Sequence, residues 1–318
     1  MISRGRSACR VPAPAIFRST RSLTPRCPRP TETYHVPRPR AQIAFSTSFP
    51  PRCSGSTCEY RHSYRSGSHT YGFFATERLT LLPRDVIKHF QFGCGQDNGG
   101  RIGRTDGIIG LGRSWISLVE QSASKYGRYF SYCLPDVSGS VRYLSLGEKG
   151  GSSAAFTPML TLSDPSYYGI NLVAISVGGK RLHVPQSIFS KAGTILDSGT
   201  VVTRLPQTAY NALRSAFRQA MSNYNGAGFS NYDTCYDLNN HTNASIPTVA
   251  LTFHGGVTIK LVRDGIIEIP IRGSVACLAF LGNGNDTALG IIGNKQQQKF
   301  EVIYDIPGSR IGFVPDGC

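Results

Sequence analysis

From about residue 53 the chain runs in short stretches of β-branched and aromatic residues, cut at intervals of roughly 8 to 12 residues by Gly, Pro, Asn or Ser. That spacing predicts antiparallel strands over TYGFFATERLTLL (70–82), YYGINLVAISVGG (167–179), IPTVALTFHGG (246–256) and FEVIYDIPGSRIGFV (300–314). Helical periodicity is confined to two places. In LPQTAYNALRSAFRQAMSNY (205–224), Pro206 suits a first turn, and Tyr210, Leu213, Phe217, Ala220 and Met221 fall on one face. A second helix is predicted around SLVEQSASKYG (117–127). Residues 1–50 show no sustained period of either kind and offer no face to bury.

Composition fits a globular chain of one large or two medium domains: 318 residues, 40% hydrophobic and 17% charged. No apolar run is long enough for a spanning helix, and scattered Arg replaces the apolar centre of a secretory signal near the start. The formal charge of +15 invites a nucleic-acid reading, but residues 1–50 hold nine Arg, no Lys and a single acidic residue, Glu32. About +7 remains for residues 51–318, so neither a nucleic-acid nor a membrane partner is expected. The opening stretch is read as disordered, with three competing origins: an organelle transit peptide, a nucleic-acid-binding tail, or a segment foreign to the natural start.

Two segments share a theme, TDGIIGLG (105–112) and LGIIGNK (289–295). Between them, TILDSGTVVTRLP (194–206) sets Asp197 in a Ser-Gly-Thr turn directly after an apolar strand. Such a turn holds a carboxylate at a fixed point, because Ser198 and Thr200 can hydrogen-bond it and Gly199 allows close backbone approach.

Together these residues resemble the pepsin-like aspartic peptidases, in particular the plant nepenthesin-like branch. ILDSGT (195–200) is similar to that family's second catalytic motif, and LGIIGNKQQQKFEVIYDIPGSRIGFVP (289–315) to its closing psi-loop and terminal strands. DGIIGLGR (106–113), FGCG (92–95) and FSYCLP (130–135) resemble first-lobe segments. The resemblance runs from about Cys53 to Cys318. It implies an all-β, bilobal acid-protease fold with a partial first lobe (51–151, carrying the flap) and a second lobe (152–318). It also implies acid hydrolysis of internal peptide bonds without cofactor or metal, a peptide or protein substrate, a monomer, and an extracellular or vacuolar location.

The family's chemistry needs two carboxylates about 3 Å apart that share one proton. Asp197 supplies one, whereas the first Asp of the chain is Asp85 and no Asp-Thr-Gly occurs in residues 1–84. A truncated first lobe and impaired hydrolysis are therefore expected, with a non-catalytic, xylanase-inhibitor-like binder or an incomplete gene product as the alternative. The resemblance further implies disulfides Cys133–Cys318 and Cys235–Cys277. It would pair Cys53, Cys58 and Cys94 with a Cys-rich insert not recognisable here, leaving Cys9 and Cys27 as candidates. It likens CEYRHSYRSGSHTYGFF (58–74) to the substrate flap, with Tyr64 covering the bound peptide and Arg65 and Ser66 where Gly and Asp are usual. Sequons stand at Asn240, Asn243 and Asn285. No C-x-x-C, H-E-x-x-H, G-x-S-x-G or phosphate-loop motif is present, and His183 and His254 are read as ordinary surface or core residues.

Overall fold

The alternating stretches do form strands. The computed structural model describes residues 9–11, 52–54, 57–64, 66–100, 107–134, 143–147, 153–191, 193–229, 232–239, 241, 244–269 and 275–318. It divides into a first unit (residues 1–128 with 144–148) and a second (129–143 with 149–318).

In the first unit, β1 (Cys9–Val11) pairs antiparallel with the Leu144–Leu146 part of β7 (Tyr143–Leu146), so a strand occurs where the opening stretch offered no period. Four further strands form an antiparallel sheet: β2 (Arg52–Ser54), β3 (Thr57–Ser63), β4 (His69–Leu82) and β5 (Asp85–Gly99). β4 and β5 are long and turn at Pro83-Arg84, with Leu82 opposite Asp85. Pro83 has no N–H to lose there, which suits a tight turn. One face buries Cys58, Tyr60 and Phe74 against Cys53, Trp115 and Ile116. The single helix expected over 117–127 is two short ones, Leu118–Gln121 and Ala123–Tyr126. Ser117 caps the first, its Oγ accepting from Glu120 N at 3.2 Å.

Cys53 and Cys58 pair with each other, which corrects the expectation that both would seek a separate Cys-rich insert. The register explains it: they stand directly opposite across the β2–β3 pair, with Cα atoms 4.0 Å apart. Cys94 is also disulfide-bonded.

The second unit builds one sheet in the order β6 (Tyr129–Cys133), β22 (Phe300–Asp305), β23 (Arg310–Pro315), β8 (Ala155–Pro158). β6 lies in this unit because it pairs with β22 along its whole length and Cys133 bonds Cys318, so the division of the chain departs from a simple cut at 151. A second sheet runs β11 (Lys180–Arg181), β10 (Leu172–Val177), β16 (Val249–Phe253), β17 (Thr258–Lys260). A third is ordered β14 (Gly226–Phe229), β15 (Tyr232–Asp237), β19 (Val275–Leu278), β18 (Ile267–Glu268), with Cys235 bonded to its cross-strand neighbour Cys277.

The long helix spans Gln207–Ala220, with Pro206 immediately before it. Tyr210, Leu213, Phe217 and Met221 are buried, as the period requires, whereas Ala220 is exposed. The helix N-terminus lacks a local cap. Asp286 reaches in from a distant loop, accepting from Thr208 N at 2.8 Å and from Thr208 Oγ1 at 2.7 Å.

Candidate active site

The remaining sheet of the second unit, ordered β20 (Phe280–Gly282), β13 (Thr203–Leu205), β21 (Gly290–Ile292), β12 (Thr194–Leu196), β9 (Gly169–Ile170), delivers Asp197. β12 and β21 run parallel in the register Thr194↔Gly290, Ile195↔Ile291, Leu196↔Ile292. β12, fully buried, ends at Leu196, and the chain breaks into the Ser-Gly-Thr turn as it reaches the surface.

Within that turn, Gly199 N donates to Asp197 Oδ1 at 2.9 Å and Thr200 Oγ1 donates to Asp197 Oδ2 at 2.6 Å. Both carboxylate oxygens are thereby fixed by short local bonds. Ser198 is exposed, and its backbone carbonyl accepts from Asn294 Nδ2 at 3.1 Å. The turn is closed from behind by the segment after β21: Asn294 N donates to Thr200 O at 2.7 Å, and Lys295 N donates to Val201 O at 3.1 Å. Gly293 makes this approach possible. A Cβ there would stand 2.7 Å from the Val202 carbonyl carbon and 2.8 Å from Val201 O.

Among the residues that the sequence reading passed over, Tyr167 and Tyr132 adjoin the carboxylate electrostatically, as does Tyr304. Tyr167 is 44% exposed, and its phenol is raised by partial burial and then by the charges of Asp164 and Asp197. Tyr132 is fully buried, and burial raises its phenol first, with Asp197 adding to the shift. Neither carried a local signal, since Tyr167 reads as part of a strand and Tyr132 lies 65 positions upstream of Asp197.

Tyr64 belongs to the first unit, where it opens the loop between β3 and β4. Tyr64 N donates to Ser68 O at 2.8 Å, and Gly67, with φ 82°, donates its N–H to Tyr64 O at 3.0 Å. The Tyr64 ring packs edge-on to His62, with centroids 4.6 Å apart. Burial raises the Tyr64 phenol and lowers the His62 imidazole. Arg65 lies outside the described residues, as do Asn240 and Asn243. Asn285 is exposed, its Oδ1 accepting from Thr287 N at 2.9 Å and Ala288 N at 2.8 Å. His183 and His254 are exposed. Among the described residues no cluster of three or more His, Cys, Asp or Glu could hold a metal ion, and no helix is long and apolar enough to cross a membrane.

Comparison with known proteins gives this geometry a lineage. Two family models match in succession, "Xylanase inhibitor N-terminal" over residues 7–148 and "Xylanase inhibitor C-terminal" over 167–315. An aspartyl protease family protein of Arabidopsis thaliana is 45% identical over 279 residues, covering 87% of this chain and 59% of its own length. The chain belongs to the pepsin-like aspartic peptidase family, in its plant nepenthesin-like branch. The aspartic proteinase nepenthesin-2 of Nepenthes gracilis is 36% identical over 282 residues, which is 84% of this chain and 62% of that protein. The chain thus spans about six-tenths of the length of these curated relatives.

Solved structures agree on the pepsin-like fold. Basic 7S globulin from soybean superposes with a TM-score of 0.66 at 22% identity, covering 85% of this chain and 75% of that one. Conglutin gamma from lupine seeds gives 0.67 at 21% identity, covering 86% and 78%. The N-terminal family match begins at residue 7, so it runs through the Arg- and Pro-rich stretch in which the sequence alone offered no likeness.

Proposed function

We propose that the second unit carries one half of an aspartic endopeptidase site, with Asp197 as its carboxylate. Ser198, Gly199 and Thr200 form the turn that presents it to a peptide, and Tyr64, in the first unit, corresponds by family resemblance to the flap tyrosine. The observation that carries this reading is the double anchoring of the Asp197 carboxylate by Gly199 N and Thr200 Oγ1 at the end of a buried strand. In the dyad mechanism one carboxylate takes a proton from the attacking water while the other donates to the scissile carbonyl, so a single Asp cannot fill both roles.

With no Asp in residues 1–84, the 318-residue chain hydrolyses peptides weakly or not at all. It acts as a monomer, and its compartment is extracellular or vacuolar, in keeping with the three disulfides found among the described residues. Asn285, exposed in its loop, is its glycosylation site in the described part. A second reading, a non-catalytic protein- or peptide-binding member of the fold, is favoured by the description of both matching family models as xylanase inhibitor.

Acid-pH cleavage of a fluorogenic peptide library by the chain and by Asp197→Asn tests the main reading. Equal, background-level rates are expected. Pepstatin-sensitive cleavage that Asp197→Asn abolishes would overturn the claim of impairment while retaining Asp197. Saturable peptide binding without cleavage would favour the second reading.

A further inference from the structure

Two adjacent glutamines, Gln296 and Gln297, are almost entirely buried in the 3-10 turn that follows Gly293. Burying two primary amides is unfavourable unless their bonds are made, and here they are. Gln296 is saturated. Its Oε1 accepts from Thr203 N and Thr203 Oγ1 at 2.9 and 2.7 Å, and its Nε2 donates to Gly265 O and Ala279 O at 2.7 and 2.9 Å.

Gln297 has a different reach. Its Nε2 donates to Ile292 O at 2.8 Å, and that same carbonyl accepts from Asp197 N at 3.1 Å. On the other side, the Tyr132 hydroxyl donates to Gln297 Oε1, and the Tyr132 and Tyr304 hydroxyls lie 3.0 Å apart. Since the one proton of Tyr132 goes to Gln297, Tyr304 is the donor of that last bond. The chain of donors therefore runs Tyr304, Tyr132, Gln297, and ends on the Ile292 carbonyl that also receives the Asp197 amide.

We propose that Gln297 is a positioning residue for Asp197, fixing its backbone through the shared Ile292 carbonyl under the orientation of Tyr132 and Tyr304. The inference deepens the reading of Asp197 as a dyad carboxylate. Its members suit an acidic site, because an amide does not titrate and burial drives both phenols further above their ordinary range. The anchor is therefore the same at pH 3 as at pH 7, unlike one built from carboxylates.

The test is amide hydrogen exchange of the full chain by NMR, which reads the Asp197 N–H directly and does not require hydrolysis. In Gln297→Leu the protection factor of the Asp197 amide should fall about tenfold relative to that of Ile303 in β22. Tyr132→Phe, which removes one hydroxyl and keeps the ring, should lower it about threefold and serves where Gln297→Leu does not fold.

Gln297→Glu supplies a rescue that depends on pH. A protonated carboxyl can accept from Tyr132 and donate to Ile292 O as the amide does, whereas the ionised form cannot donate. Protection near that of the parent in acid, lost about tenfold above the titration of Glu at this site, is expected. The proposal fails if Asp197 protection stays within about twofold of the parent in the variants that fold, or if the loss spreads equally to β22. Either result leaves the assignment of Asp197 itself untouched, since that rests on the anchoring of its carboxylate by Gly199 N and Thr200 Oγ1.

Discussion

The sequence Gly-Ile-Ile-Gly occurs twice, and the two copies have different fates. In the second unit, residues 290–292 are a strand, paired in parallel with the strand that presents Asp197, and Ile292 is 0% exposed. In the first unit, residues 107–110 form no strand among the described residues, and Ile108 is 66% exposed. Local preference is identical, so the difference lies in the partner: a β-branched pair becomes a buried strand only where a neighbouring edge satisfies its backbone groups. The Asp197 turn is part of the same lesson, since its geometry is set by the segment across the sheet as much as by Ser198, Gly199 and Thr200.

The largest expected contrast between the units is in their disulfides. Cys133–Cys318 closes a loop of 185 residues in the second unit, while Cys53–Cys58 closes one of 5 in the first. On the loop-entropy argument, replacing both cysteines by Ser should cost about 5 kcal/mol in the first case and about 2 kcal/mol in the second. Urea unfolding can separate them, because Trp115 is the chain's one tryptophan and reports on the first unit, while exchange of the β22 amides reports on the second. Equal losses would mean that residual structure in the unfolded chain, and not loop length, governs these bonds.

The two Gly-Ile-Ile-Gly copies give a smaller and more local contrast. Gly293→Ala must push a Cβ against the Val201 and Val202 backbone, where nothing flexible can give way, and should cost about 3 kcal/mol. Gly110→Ala meets nothing within 4 Å and should change stability by less than about 0.5 kcal/mol. The same pair of urea curves reads both. A cost at Gly110 as large as at Gly293 would mean that the first copy is held as tightly as the second.

Legibility in the sequence followed the range of the interactions. The β class, the long helix and the strand–turn placement of Asp197 rest on period and on neighbours within a few residues, and each was readable. The partner of Cys53 was not, because it depended on a strand register that places Cys58 opposite. Nor was the burial of Gln296 and Gln297: a run of three glutamines reads as surface until Thr203, Gly265, Ala279 and Tyr132 arrive from elsewhere in the chain to bond it. Ala220 shows the reverse error, a periodic position at a helix end where the buried face has already run out.

The smallest of the three predicted contrasts concerns acid, and it tests whether the second unit keeps its packing at the pH its family's chemistry uses. Asp233 on β15 ties the Gln207–Ala220 helix to its sheet: the Tyr210 hydroxyl donates to Oδ1, Arg214 Nη1 donates to Oδ2 at 2.8 Å, and Thr234 Oγ1 donates to Oδ1 at 2.9 Å. Partial burial opposes the charge, but these three donors and the Arg214 guanidinium outweigh it and hold the carboxyl below its ordinary value. A carboxyl lowered on folding contributes stability that is present above its unfolded pKa and is lost only as pH falls through the lower, folded one. Asp233→Asn should therefore cost about 1 kcal/mol at pH 6, a modest figure because the side chain is 44% exposed and solvent screens it. The difference from the parent should persist through the ordinary Asp pKa of about 3.9 and fade only in more acid solution, as the parent's own lowered carboxylate protonates. Thermal melts of both proteins across that range read the difference, with Trp115 fluorescence as the internal control in the first unit. A gap that closes already near pH 5 would mean that the carboxyl is not lowered, and that burial prevails over its donors.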